Sequence, residues 1–225
     1  MMLELSGVGF DYGKLTVIDG LDLQVDKHEL VVCVGPSGCG KSTLLSLLAG
    51  HLAPTRGTVK RNGVSRTIYQ DGGLFPWLTV EQNVALSGSS KTKEWLEITR
   101  LTDFATSFPH QLSGGMRQRV ELARALAAET DILLMDEPFS ALDYQTRNKM
   151  RRELVATLAE RPRTVVFVTH DIEEAVMIGD RVVVLGARPT KVRKLLPLPP
   201  DGSRTPASPG VAEAEQVIMD ELGLT

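Results

Sequence analysis

The chain has 225 residues, 42% of them hydrophobic and 24% charged, with a formal net charge of −3. That is enough for one large domain with a real core. The slightly acidic balance argues mildly against a nucleic-acid partner, since such binders usually carry a strong basic excess. Its two cysteines, Cys33 in an apolar run and Cys39 in a Gly-rich loop, form no disulfide framework and fit a reducing compartment. No apolar run approaches the ~18–20 residues that cross a bilayer, and the opening Met-Met-Leu-Glu-Leu-Ser lacks the pattern of a secretory signal. A cytosolic chain is expected, with any membrane role exerted through a partner.

Residues 3–10 and 21–25 alternate apolar and polar, as half-buried strands do, with Asp11-Tyr12-Gly13-Lys14 as the turn between them. The run Glu29-Leu30-Val31-Val32-Cys33-Val34 predicts a fully buried strand, and Lys41 to Ala49 predicts a helix capped by Gly50. Residues 55–70 read as two short strands around Asn62-Gly63, a hairpin signal. From about 74 to 127 the pattern is helical, with Trp95, Ile98, Leu101 and Phe104 at helix-like spacing, and this stretch reads as an inserted subdomain. Strand character returns at 132–135, 164–168 and 181–185, separated by helices at about 144–160 and 171–178. Strands alternating with helices predict an α/β fold with a mostly parallel sheet covered on both faces. Residues 197–210, rich in Pro, Gly and Ser, read as a flexible linker, and 211–225 as a short amphipathic C-terminal helix on Ala214, Val217, Ile218 and Leu222.

Gly35-Pro36-Ser37-Gly38-Cys39-Gly40-Lys41-Ser42 fits G-x-x-x-x-G-K-[ST], placed between a buried strand and a helix as that motif requires. Glycines let backbone N–H groups wrap phosphate oxygens, and the helix N-terminus adds partial positive charge. Lys41 sets an ammonium on the β- and γ-phosphates, and the Ser42 hydroxyl is a Mg²⁺ ligand. The strand Ile132-Leu133-Leu134-Met135 ends in Asp136-Glu137. Beside a phosphate loop, Asp136 joins the Mg²⁺ shell and Glu137 orients or deprotonates the attacking water.

Leu112-Ser113-Gly114-Gly115-Met116-Arg117-Gln118-Arg119 opens a helix about 20 residues before Asp136. Ser113 there is an N-cap by its chemistry. Here the chain resembles the ABC ATPase family, with Met116 where Gln is commoner. The resemblance covers about residues 3–195 and rests on several motifs in one order. It implies a phosphate-loop NTPase with a RecA-like core sheet, an N-terminal antiparallel β subdomain and an inserted helical subdomain within residues 1–196. It also implies that Ser113, Gly114 and Gly115 meet the γ-phosphate bound by a second protomer. Tyr12 resembles the adenine-stacking aromatic, with Phe10 the alternative. Gln70 resembles a glutamine that touches Mg²⁺ and reports to a membrane subunit. Ser140-Ala141-Leu142-Asp143 resembles the loop that communicates between protomers, with Asp143 at the shared site, and His170 resembles the γ-phosphate switch histidine. The expected nucleotide set is therefore Tyr12, Gly35 through Thr43, Gln70, Ser113 to Gly115 and Asp143. Lys41, Glu137 and His170 are the catalytic residues, and Ser42, Gln70 and Asp136 hold the metal.

The resemblance implies an ATP- and Mg²⁺-dependent ATPase that forms a homodimer around two ATP molecules. It would sit peripherally on the cytoplasmic face of a membrane, under two permease subunits and, indirectly, an extracytoplasmic solute-binding protein. Leu74-Phe75-Pro76-Trp77-Leu78-Thr79-Val80, the run 136–147 and Ala187-Arg188-Pro189-Thr190-Lys191 resemble the nitrate/sulfonate/taurine importer group. Phe75 and Trp77 either pack on the helical subdomain or line a groove for a membrane subunit's helix. The spans from Gly57 to Gln70 and from Gln70 to Ser113 are shorter than usual for that group. Rival readings are a soluble ABC ATPase in cofactor assembly, a cassette for another substrate such as a thiamine precursor or lipid, and a small phosphate-loop kinase, which would have no use for residues 112–115.

Overall fold

The computed structural model describes residues 1–69, 73–199, 204–205 and 207–224. Nine strands form two sheets among these residues. The smaller sheet is antiparallel, in the order β2 (Leu15–Val25), β1 (Leu3–Tyr12), β4 (Arg56–Arg61). The larger has the order β5 (Ser65–Ile68), β6 (Ile132–Asp136), β7 (Thr164–Thr169), β3 (Leu30–Val34), β8 (Arg181–Leu185), β9 (Val192–Pro197). Its strands pair in parallel except β9, which runs antiparallel to β8 along one edge.

The central strands β3, β6, β7 and β8 are buried on both faces, which is why they read as continuous apolar runs rather than alternating ones. Their alternate residues feed two cores. Val31, Cys33, Ile132, Leu134, Val166, Val168 and Val183 join Leu44, Leu45, Leu47 and Leu48 of α1 (Lys41–Ala49) and the inner face of the small sheet. Val32, Leu133, Met135, Val165, Phe167 and Val182 point the other way. They pack on α4 (Gly114–Ala127), α6 (Ile172–Ile178) and α7 (Val211–Leu222). Helix α1 thus lies between the sheets, held from both sides.

Three expectations are corrected. Asn62-Gly63 does not close a hairpin, because β4 pairs with β1 while β5 pairs with β6. The turn is a crossover between sheets, held where the Val64 N–H donates to Asp131 Oδ2 at 2.9 Å and Val64 O accepts from the Asp131 and Ile132 N–H groups. Turn chemistry names a reversal, but partner choice belongs to the whole sheet. The helix-like spacing of Trp95, Ile98, Leu101 and Phe104 within the 74–127 stretch does not mark a single helix. That stretch contains α2 (Val80–Ala85), α3 (Thr92–Ile98), two 3₁₀ turns and α4. The apolar period from Trp95 through Phe104 crosses a break, since α3 ends at Ile98 and Arg100 takes a positive φ of 54°. Arg119 Nη1 donates to the Thr99 carbonyl at 3.0 Å, satisfying an orphan acceptor of that helix end. Within 197–210, read as a flexible linker, residues 200–203 and 206 lie outside the described residues, while Leu198 and Arg204 are buried. Arg204 donates to the carbonyls of Val176 at 3.0 Å and Gly179 at 2.5 Å. Beyond them α7 buries Val211, Ala214 and Ile218.

Candidate functional site

The parallel strands deliver their carboxyl ends to one edge of the large sheet, where α/β folds place ligand chemistry. β3 ends at Val34 and runs into the loop 35–40 before α1, while β6 ends at Asp136 and β7 at Thr169. Because β6 and β7 are register-paired neighbours and β7 pairs with β3, the loop, Asp136-Glu137 and His170 come together.

Lys41 is buried, and its Nζ donates to the carbonyls of Gly35 at 2.8 Å and Pro36 at 3.1 Å, folding the loop around the ammonium. Gly40 is required by geometry: its φ is 120°, and a Cβ there would stand 2.8 Å from Val17 Cγ1. Cys39 is buried with its Sγ against Gly35, and the Cys39 carbonyl accepts from the Thr190 hydroxyl. Burial raises the Cys39 thiol and pushes Cys33 up to about 12, so both behave as apolar packing groups.

Asp136 is buried beside this loop. Burial raises its carboxyl above the usual range, against a hydrogen bond from the Ser42 side chain that lowers it. A desolvated carboxylate touching a hydroxyl is a pair of hard oxygen donors, and Mg²⁺ suits such a set. These residues therefore fit a magnesium nucleotide. The described residues hold no cluster of three or more His, Cys, Asp or Glu groups that would suggest another metal.

Glu137 has a positive φ of 46°, which a non-glycine residue adopts only when its surroundings enforce it. Its N–H donates to Val168 O at 3.0 Å, and its carbonyl accepts from the Ser140 N–H at 3.1 Å. Its carboxylate Oε1 lies 3.0 Å from His170 Nδ1.

A cavity of about 540 Å³ opens over these groups, within the roughly 300–1,000 Å³ range of small-molecule sites. Tyr12, Val17, Ser37, Gly38, Gly40, Lys41, Ser42, Thr43, Glu137, His170 and Arg188 contribute to its wall. Tyr12 is 53% exposed, whereas Phe10 is buried in the core beneath it with their rings edge to face at 4.8 Å. Arg188 stands near the loop, at 3.9 Å from a notional Gly38 Cβ, a placement with no sequence signal beyond its charge. Gln70 lies outside the described residues.

Among the described residues lining this cavity, Ser113, Gly114, Gly115 and Asp143 do not figure. Ser113 is the N-cap of α4, its Oγ accepting from the Met116 N–H at 3.2 Å. Asp143 caps α5 (Tyr144–Glu160) and accepts from the Thr146 N–H at 3.0 Å, a bond that holds its carboxyl below the usual range. Within one chain Ser113, Gly114 and Asp143 are exposed and Gly115 is half-buried, and none of the four lines the loop cavity.

A phosphate-binding loop on the central strand, with paired carboxylates at the end of a nearby one, defines a phosphate-loop nucleotide hydrolase. The comparisons carry this further. Residues 18–140 match the ABC transporter family. The chain is 40% identical over 215 residues to the aliphatic sulfonates import ATP-binding protein SsuB of Bacillus cereus (strain ATCC 10987), covering 87% of this chain and 86% of that one. It is likewise 40% identical over 227 residues to the SsuB protein of Bacillus subtilis (strain 168), covering 94% and 89%. A dimeric ATP-binding cassette in a post-hydrolysis state, bound to ADP and Pi, superposes with a TM-score of 0.80 at 31% identity, over 89% of this chain and all of that one. The chain belongs to the ABC transporter family as an ATP-binding subunit, and it is an ATPase.

Proposed function

We propose that this subunit hydrolyses ATP to drive import of a small anionic solute, of the sulfonate, taurine or nitrate type, through membrane partners that supply the pathway. The observation that carries the hydrolytic part is the convergence of Lys41, Ser42, Asp136, Glu137 and His170 at one edge of the sheet. Lys41 would hold the β- and γ-phosphates, with Gly35 through Thr43 wrapping them and Tyr12 against the base. Ser42 and Asp136 would hold Mg²⁺, which when bound neutralises phosphate charge. Glu137 would take the water proton while His170 holds its carboxylate. Gln70 keeps its proposed place beside the metal on the family resemblance alone.

Ser113, Gly114 and Asp143 are exposed, with Gly115 half-buried, and none of them lines this chain's own phosphate-loop cavity. A second copy, head to tail, would bring its loop to those residues, and ATP would then join two protomers. The dimeric relative supports this arrangement. The described residues contain no helix long and apolar enough to cross a membrane, so transport would require permease subunits, with this chain peripheral to the cytoplasmic face. Phe75 and Trp77, 41% and 69% exposed and 5.4 Å apart, form an apolar surface suited to a permease helix. The solute class rests on the sulfonate-import relatives, and an extracytoplasmic binding protein would supply it.

The test is Glu137→Gln. Hydrolysis should fall by roughly 10²–10⁴ with ATP affinity kept, and light scattering should show a dimer only with ATP. Unchanged turnover would remove Glu137 from its role, and a monomer with ATP would remove the two-copy site. Reconstitution with permease subunits and a binding protein loaded with an alkanesulfonate, taurine or nitrate tests the solute class, since only the cognate solute should stimulate phosphate release.

A further inference from the structure

Gln118 lies on α4, four residues beyond Gly114 and so one turn deeper on the same face. It is buried, an expensive location for an amide without partners. Its partners lie across the site. Nε2 donates to the Glu137 carbonyl at 3.2 Å and approaches Ser140 Oγ at 3.4 Å, while Oε1 accepts from the Ala141 N–H at 3.1 Å. Only a side chain that donates and accepts at once can make this set, which is what a primary amide offers.

Each partner sits in a segment whose conformation matters. Glu137 is the residue with φ of 46°, and its carbonyl now has two donors, Gln118 Nε2 and the Ser140 N–H. With its own N–H on Val168, every polar group of its main chain is pinned. Left-handed backbone in a residue with a Cβ persists only when such contacts over-determine it. Ala141 belongs to the segment 140–143, and its carbonyl packs against Gly115, where a Cβ would come within 3.2 Å. The start of α4, the 140–142 turn and the Glu137 main chain are therefore one block, with Gln118 bonded to two of its three parts from within the third.

We propose that Gln118 is a positioning residue for hydrolysis: its amide holds the Glu137 main chain in register with α4, so that the Glu137 carboxylate and the face at Ser113–Gly115 keep a set geometry. This rests on the reading of Glu137 as the group that activates water. Gln118 touches neither nucleotide nor water, and it acts through Glu137.

The experiment is a mutant cycle on the full chain, with Gln118→Met, Glu137→Gln and the double variant, measuring single-turnover hydrolysis, ATP affinity and melting temperature. Gln118→Met keeps length and loses all three side-chain hydrogen bonds. The expected result is a fall of roughly 10- to 100-fold in hydrolysis, the scale of a misplaced reacting group, with ATP affinity within about twofold and no further loss when added to Glu137→Gln. Wild-type hydrolysis in Gln118→Met, or losses that multiply in the double variant, would overturn the proposal. So would a parallel loss of ATP binding, since it would make Gln118 a general support. If Gln118→Met does not fold, Gln118→Glu replaces it. That variant keeps the acceptor for Ala141 N–H and turns a carboxylate toward the Glu137 carbonyl, and the same fall without loss of affinity is expected. Near wild-type turnover in Glu137→Gln itself is a separate outcome, which would sink the underlying reading and leave the Gln118 comparison to be read from its own single variant.

Discussion

His170 Nδ1 lies 3.0 Å from Glu137 Oε1, joining the residues that follow two adjacent parallel strands, β7 and β6. The two side chains differ in setting: that of Glu137 is 14% exposed and that of His170 59%. The contact holds one carboxylate oxygen and restricts the rotation of a side chain whose backbone is already pinned.

His170→Ala removes this restraint without disturbing the loop. Hydrolysis should fall by roughly 10²-fold, the lower end of what a positioned proton-transfer group contributes, while ATP affinity stays near wild type because Lys41 and the loop are untouched. Phosphate release and equilibrium nucleotide binding, measured side by side, check it. Equal losses in both would show that His170 supports the fold of the site rather than the reaction.

Lys41→Ala acts on the other half of the site. The ammonium bonds the carbonyls of Gly35 and Pro36, so its loss leaves the buried Gly35 carbonyl short of a donor, at a cost of about 1–3 kcal/mol when no water replaces it, while the exposed Pro36 carbonyl keeps the Cys39 N–H. The variant should melt lower than wild type without nucleotide, and the rise in melting temperature that ATP gives wild type should vanish. A preserved ATP-dependent rise would show that the loop backbone suffices.

How much of this was legible in the residues depends on the range of the interactions. The strand, glycine loop and helix from Leu30 to Ala49 are local: apolar run, turn chemistry and helix period all lie within twenty residues, and α1 takes its predicted bounds. The separate sheets of β4 and β5 were not legible, because Asn62-Gly63 carries a reversal signal and the decision rests on Asp131, far along the chain. The edge strand β9 carries no apolar alternation along Val192–Pro197 to mark it, and its pairing with β8 comes from the backbone. The left-handed φ at Glu137 and the reach of Gln118 across to it had no signal at all, since both are tertiary: Gln118 meets Glu137 and Ala141 only once α4 is docked beside that turn.

Asp136 gives a pH-dependent prediction. Burial raises its carboxyl, so the folded state holds its proton more tightly than the unfolded chain. Below the ordinary aspartate range both states are protonated and nothing is lost. As pH rises through the raised folded value, the folded chain must carry a desolvated charge and stability falls. Asp136→Asn escapes this penalty. Without nucleotide it should melt higher than wild type at neutral pH, by ~2–4 °C for each kcal/mol recovered, and the gap should close on acidification. Glu121 and Glu174 are raised by burial too, but both proteins share them, so the difference isolates Asp136. A gap independent of pH would mean that packing, not charge, separates the two.

The adjacent glycines Gly114 and Gly115 should respond differently to the same change. A Cβ on Gly115 would stand 3.2 Å from the Ala141 carbonyl and 3.3 Å from Leu142 Cδ2, whereas on Gly114 the nearest contact is Arg117 Nη2 at 3.9 Å. Gly115→Ala must push α4 from the 140–142 turn, and it should lower the melting temperature of the isolated chain along with its activity. Gly114→Ala has room within the chain and should melt like wild type. If Gly114 faces the nucleotide of a second copy, the added methyl obstructs that approach, and ATP-dependent dimerisation in the Glu137→Gln background should be lost while ATP binding to the monomer persists. Scanning calorimetry and light scattering on the two variants separate these effects. A Gly114→Ala chain that still dimerises with ATP would show that this face lies away from the shared nucleotide.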